Sequence, residues 1–161
     1  MDMIQTQKQE NTISVSFVNG LQGIGLPLLK TTKNGYALYF LIDTGASKNY
    51  IRHDCLNLPE INEDTLILDE KEEYYGIDNV CHEAETCNFR FDLDQYQYME
   101  RFQIIKDGSA LSFPTTDGVL HVVGILGTPF LMQYKAVMDF AAAEISFATP
   151  EPRDQEVKLS A

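Results

Sequence analysis

The sequence predicts an all-β domain on three observations: short runs in which apolar and polar residues alternate, Asn-Gly turn signals between such runs, and a single stretch with helix-start chemistry. Residues 12–18 alternate as a half-buried strand does, Asn19-Gly20 marks a turn, and residues 24–29 read as the returning strand. Lys33-Asn34-Gly35 is the next turn, and the continuous apolar run 36–42 suits a short strand buried on both faces. That run stops at Asp43. Residues 65–91 make two strand-like stretches around Gly76-Ile77-Asp78-Asn79, which tolerate positive φ, so a long hairpin is predicted. Residues 96–105 read as a further strand, 109–118 as irregular and 119–126 as apolar again. Thr128-Pro129 sets a capping hydroxyl before a proline at the first helical position, predicting one short helix over 130–134. Residues 136–140 and 144–148 read as a closing strand pair.

Composition bounds what such a domain does. With 161 residues and 44% of them hydrophobic, the chain can bury one substantial core, expected over residues 12–149 with polar tails at 1–11 and 150–161. A formal net charge of −12 repels the phosphate backbone on which nucleic-acid binders rely, so no nucleic-acid partner is expected. The first residues lack a basic stretch followed by an apolar core, and no later run has the length of a membrane span; the expectation is a cytoplasmic protein with no membrane partner. Cys55, Cys81 and Cys87 are too few and odd in number for a disulfide framework, and are expected as free thiols.

The chemistry is concentrated in a weak internal repeat. The segment 40–47, Phe-Leu-Ile-Asp-Thr-Gly-Ala-Ser, can be laid over 122–129, Val-Val-Gly-Ile-Leu-Gly-Thr-Pro, so that Gly45 falls on Gly127. Each copy is an apolar strand running into a glycine turn, but the first carries Asp43 where the second has Ile125. An acid at the end of a buried strand is costly unless hydrogen-bonded or useful. Asp-Thr-Gly alone is a common turn tripeptide, and its plain reading is a structural turn.

The ordered combination carries more than either turn. Leu41-Ile42-Asp43-Thr44-Gly45-Ala46-Ser47, followed by Gly124-Ile125-Leu126-Gly127-Thr128-Pro129-Phe130-Leu131, Tyr134 and Val137-Met138-Asp139-Phe140, resembles the retropepsin-like aspartic peptidases over roughly residues 12–147. The resemblance implies a retropepsin-like acid-protease fold with a flap hairpin, closed by homodimerisation. It implies Asp43 as the catalytic carboxyl, Thr44 hydrogen-bonding across the dimer axis, Gly45 letting the turn approach its twin, and Ile125-Leu126-Gly127 as the second apolar-glycine turn, braced by a helix. Tyr75, Gly76 and Ile77 fall where the flap would touch substrate, although Asp78-Asn79 stands where relatives are often richer in glycine. Ala46 replaces the serine usual in pepsin-like relatives, which removes a donor to the carboxylate and is expected to keep a shared proton to higher pH.

Hydrolysis by this route needs a base to take a proton from water and an acid to protonate the carbonyl oxygen. With Ile125 apolar, the second carboxyl has to be Asp43 of another chain. The function expected is an aspartic endopeptidase acting on polypeptide, without cofactor; the alternative is a catalytically weak dimerisation or peptide-binding module of the same fold. Other constellations read more plainly. His53, Cys55, Cys81, His82 and Cys87 match no familiar metal spacing, and no metal site is expected. The acidic run 60–73 suits a solvated strand edge that resists aggregation, and Tyr96, Tyr98 and Phe102 share one strand face.

Overall fold

Asn34 and Gly35 make the first hairpin. In the computed structural model, which describes residues 12–16, 26–75, 79–108, 111–115 and 118–150, they have φ of 51° and 83°, the positive pair a tight two-residue hairpin needs. They join β2 (Leu28–Lys33) to β3 (Tyr36–Ile42), with Lys33 opposite Tyr36. Along β3, Leu38, Phe40 and Ile42 enter the main core while Leu41 packs on a second cluster of Leu28, Leu111 and Val122. The strand is covered on both faces only towards its Asp43 end; Tyr36 and Ala37 are exposed.

The other strands of this sheet are β4 (Tyr50–Arg52), β5 (Leu66–Tyr75), β6 (Cys81–Leu93), β7 (Tyr96–Ile105) and β10 (Gly124–Leu126). Their order is β2-β3-β10-β4-β7-β6-β5, and Thr32 also pairs with Asp92, so β2 and β6 close a barrel with β5 outside the ring. Closure satisfies most strand edges internally. The interior is aromatic: Phe40 stacks on Phe102 at 5.6 Å, and Phe91 meets Tyr98 and Phe130, each at 5.9 Å between centroids. The predicted face of Tyr98 and Phe102 is buried, and Tyr96 packs against the same core.

Among the described strands, β1 (Thr12–Ser16) does not pair with β2. It lies antiparallel on β12 (Glu144–Ala148), which also pairs with β11 (Val137–Asp139), giving a separate three-stranded sheet. The reason is burial: this pairing puts Ile13 with Ile145 and Phe147 in the main core. The Asn19-Gly20 turn and the start of the predicted 24–29 strand lie outside the described residues, and the strand there begins at Leu28.

Two further expectations need correction. The stretch read as irregular contains β8 (Ser112–Thr115), paired with β9 (Gly118–His121), so the apolar run 119–126 is divided between β9 and β10 at Val122 and Val123. In place of one short helix the described residues hold α1 (His53–Leu56), α2 (Pro59–Asn62) and α3 (Thr128–Gln133). The first two are single turns, too short to show a helical period, and each drives one apolar residue, Leu56 or Ile61, into the core. No helix among the described residues is long and apolar enough to cross a membrane.

Candidate active site

β3 delivers Asp43 to the sheet end, and the backbone there shapes the carboxylate. Asp43 N–H donates to the Leu126 carbonyl at 3.1 Å, continuing the pairing of β3 with β10, and Ala46 N–H donates back to the Asp43 carbonyl at 3.2 Å. Gly45 N–H donates to Asp43 Oδ1 at 2.9 Å, so the turn orients its own acid. Asp43 and Ala46 are half-buried, while Thr44 and Gly45 are exposed in the single chain.

The second glycine turn clasps the first. β10 runs parallel to β3 with Ile125 beside Leu41 and Leu126 beside Ile42, so the two segments matched in sequence are neighbours in the sheet. Gly127 N–H donates to Asn49 Oδ1 at 2.9 Å, and the Ala46 carbonyl accepts both Thr128 N–H at 2.9 Å and Thr128 Oγ1 at 3.2 Å. The expected capping role of Thr128 is therefore wrong. Gly127 is the N-cap of α3, no side chain caps it, and the threonine hydroxyl ties the helix to the Asp43 turn instead.

A cavity of about 710 Å³ opens between the β5–β6 hairpin and the sheet. Tyr74, Tyr75, His82 and Ala84 line it from the hairpin, and Tyr50, Gln103, Ile105 and Ile125 from β4, β7 and β10. Of the residues expected in the flap, Tyr75 lines this space; Gly76 and Ile77 lie outside the described residues. Asn79, at the near end of that turn, has the positive φ anticipated for it, 58°. Asp43 does not itself line the cavity; Tyr50, which does, lies within reach of its charge. Burial raises the Tyr50 hydroxyl pKa, and the fields of Tyr74, Asp43 and Glu72 push it the same way.

Among solved structures, the chain is similar to the crystal structure of a retropepsin-like aspartic protease from Rickettsia conorii, with a TM-score of 0.50 at 13% identity, over 87% of this chain and 94% of that one. The fold is retropepsin-like. No protein-family model matches the chain, and no curated protein does.

Within this retropepsin-like fold, several residues of the site were not legible as such. Asn49 is 3% exposed, and its Nδ2 donates to the Arg101 carbonyl at 3.2 Å while its Oδ1 holds Gly127, so it bolts the second turn to β7. The one signal the sequence holds is an asparagine set directly before the strand-like Tyr50-Ile51, and its burial is visible only in the structure. Glu72 belongs to the acidic run, yet its carboxyl is held below the usual range, first by the amide of Gln103. Elsewhere, Glu100 lies on the buried face of β7; burial pushes its carboxyl up to about 7 against the opposing hydrogen bond of Tyr134, and Oε1 has no partner. His53 and Cys55 sit at α1 and Cys81, His82 and Cys87 on β6; among the described residues no group of three such side chains is arranged for a metal.

Proposed function

We propose that this chain is one half of an aspartic endopeptidase whose second half is another copy of itself. The observation that carries the reading is the Asp43 carboxylate: oriented by Gly45 N–H at 2.9 Å, in a turn clasped by Gly127 and Thr128, with only the apolar Ile125 contributed by the second turn. One acid cannot serve as both base and acid at the same instant, so two Asp43 carboxyls share one proton across a two-fold axis. The ionised carboxyl takes a proton from water as its oxygen attacks the peptide carbonyl carbon; the protonated one gives its proton to the carbonyl oxygen. Collapse of the tetrahedral diol then breaks the C–N bond: one diol hydroxyl gives its proton to the ionised carboxyl while the protonated carboxyl gives its proton to the departing amine, so the dyad again holds one proton.

The exposed Thr44 and Gly45 leave a face on which the second turn can seat, and the cavity under the hairpin suits an extended polypeptide held by main-chain hydrogen bonds. Asp43→Asn tests the reading. A mixed peptide library is incubated across acidic to neutral pH and cut sites are read by mass spectrometry. The parent is expected to cut and the variant to lose all cleavage while keeping its dimer in sedimentation. Equal cleavage by parent and variant, or a fully active monomer, overturns it; peptide binding without cleavage by either protein would leave the binding-module reading.

A further inference from the structure

We propose that Glu72 is a positioning residue: its carboxylate fixes the β5–β6 hairpin over the Asp43 turn by bridging the hairpin to Lys48 and to Arg101 and Gln103 of β7. That the hairpin covers a peptide site rests on the reading above; the anchoring itself does not.

The geometry begins in the hairpin. Leu68 lies opposite Thr86 and Lys71 opposite Glu85, so β5 spends three steps where β6 spends one. This bulge is pinned by Thr86 Oγ1, which donates to the Glu70 carbonyl at 3.1 Å. Beyond it, Glu72 pairs with Ala84 and is half-buried, its side chain lining a small cleft with Lys48, Asn49, Arg101 and Gln103 beside the larger cavity, whereas its neighbours Glu70, Lys71 and Glu73 stay exposed. An acid turned inward on an edge strand needs partners, and Glu72 has them on other elements. Gln103 Nε2 donates to Oε2 at 2.8 Å, Arg101 Nε lies 3.0 Å from Oε1, and Lys48 Nζ lies 3.6 Å from Oε2. The Glu72 side chain is 23% exposed, less than either cation, so the acid is the enclosed centre of the group.

The chain of contacts continues to the catalytic turn. Gln103 N–H donates to the Asn49 carbonyl at 2.8 Å, and Asn49 holds both Arg101 and Gly127. Lys48 follows Ser47 directly out of the Asp43 turn. β5 has a second, longer contact to β7 from Glu70 Oε2 to Arg101 at 3.4 Å, but Glu72 is the residue that also ties the hairpin to Lys48 in the loop carrying the acid. Within residues 71–75 its carboxylate is placed to set the hairpin's height.

The test reads backbone motion and does not depend on cleavage. Amide hydrogen exchange is compared between the parent, Glu72→Gln and Glu72→Ala, with β3 and β10 of the same molecules as internal reference. Exchange over residues 71–75 and 81–85 is expected to rise about tenfold in the alanine variant and less in the glutamine variant, which keeps a polar contact to Gln103, while β3 and β10 stay unchanged. Unchanged hairpin exchange in both variants overturns the proposal, as does a uniform rise in every strand, which would make Glu72 a general stabiliser. Where cleavage is measurable, the alanine variant raises KM by a larger factor than it lowers kcat.

Discussion

Gly127→Ala is the sharpest probe of how the two turns depend on each other. The added methyl would lie 2.3 Å from the Lys48 carbonyl oxygen and 2.6 Å from that of Ala46. Both are backbone atoms and cannot rotate away, so the Asp43 loop must retreat by about 1 Å or α3 must lift. Dihedral strain plays no part, because Gly127 has φ −97° and ψ −166°, which alanine adopts freely. Overpacking of this kind costs about 1–3 kcal/mol. Retreat also stretches Gly127 N–H to Asn49 and Thr128 N–H to Ala46, both 2.9 Å, each worth about 1 kcal/mol net. A loss of about 3 kcal/mol follows, lowering Tm by roughly 6–12 °C for a chain of this size. Gly35→Ala is the control: its φ of +83° makes alanine strained, but nothing lies within 4 Å of the new methyl, so it should cost only about 1 kcal/mol. Urea and thermal melts of both variants measure the difference, and the amide shift of Gly45 reports whether the Asp43 turn moved. If Gly127→Ala proves as mild as Gly35→Ala with an unmoved Gly45 amide, the buttressing argument is refuted.

Other expectations rest on separate groups. The folded-state pKa of Glu100 is raised to about 7 from 4.5, so the unfolded chain ionises first as pH rises; stability is full below about pH 4.5 and is lost by up to about 3 kcal/mol on approaching pH 7. Glu100→Gln should flatten that slope in melts between pH 5 and 7, and an unchanged slope would rule this carboxyl out as its source. Burial pushes the Cys55 and Cys87 thiols up to about 11 and about 12, whereas Cys81 is exposed, so iodoacetamide at pH 8 should modify Cys81 first and Cys87 only on unfolding. Native-state labelling of Cys87 at the rate of Cys81 contradicts the packing of β6. For the peptidase reading, a shared proton makes the rate bell-shaped in pH, and Ala46→Ser, by offering the carboxylate a donor, should move the alkaline limb to lower pH at matched ionic strength and dimer content. An unmoved limb would show that position 46 does not set the dyad's proton affinity.

Local signals carried far in this chain. Asn34-Gly35 was legible as a turn because only a few residues accept two consecutive positive φ angles, and the structure makes it the tight turn between β2 and β3. The run 36–42 ending at Asp43, the strand 96–105 and the long hairpin before it were legible for a similar reason: alternation and turn chemistry act over a handful of neighbours. The ordered pair of glycine turns was legible because each needs its own residues, although their direct contact was not. α1 and α2 escaped because one helical turn displays no period, and β8 because a four-residue strand with Pro114 inside it carries little strand signal.

What the sequence by itself determined is the local vocabulary: an all-β chain, an acid at the end of an apolar strand, and a glycine turn poised before a short helix. Which pieces meet was decided only in three dimensions. β1 lies on β12, more than 120 residues away in the chain, where Ile13 finds burial with Ile145 and Phe147. The Thr128 hydroxyl left its helix end for the Ala46 carbonyl, 82 residues away in the chain. Glu72, one acid in an acidic run, became distinct because a bulge turned it inward to meet Lys48, Arg101 and Gln103. Partners distant along the chain leave no periodicity in it; the free energy that selects them is burial and hydrogen bonding summed over the folded barrel, which no local window contains.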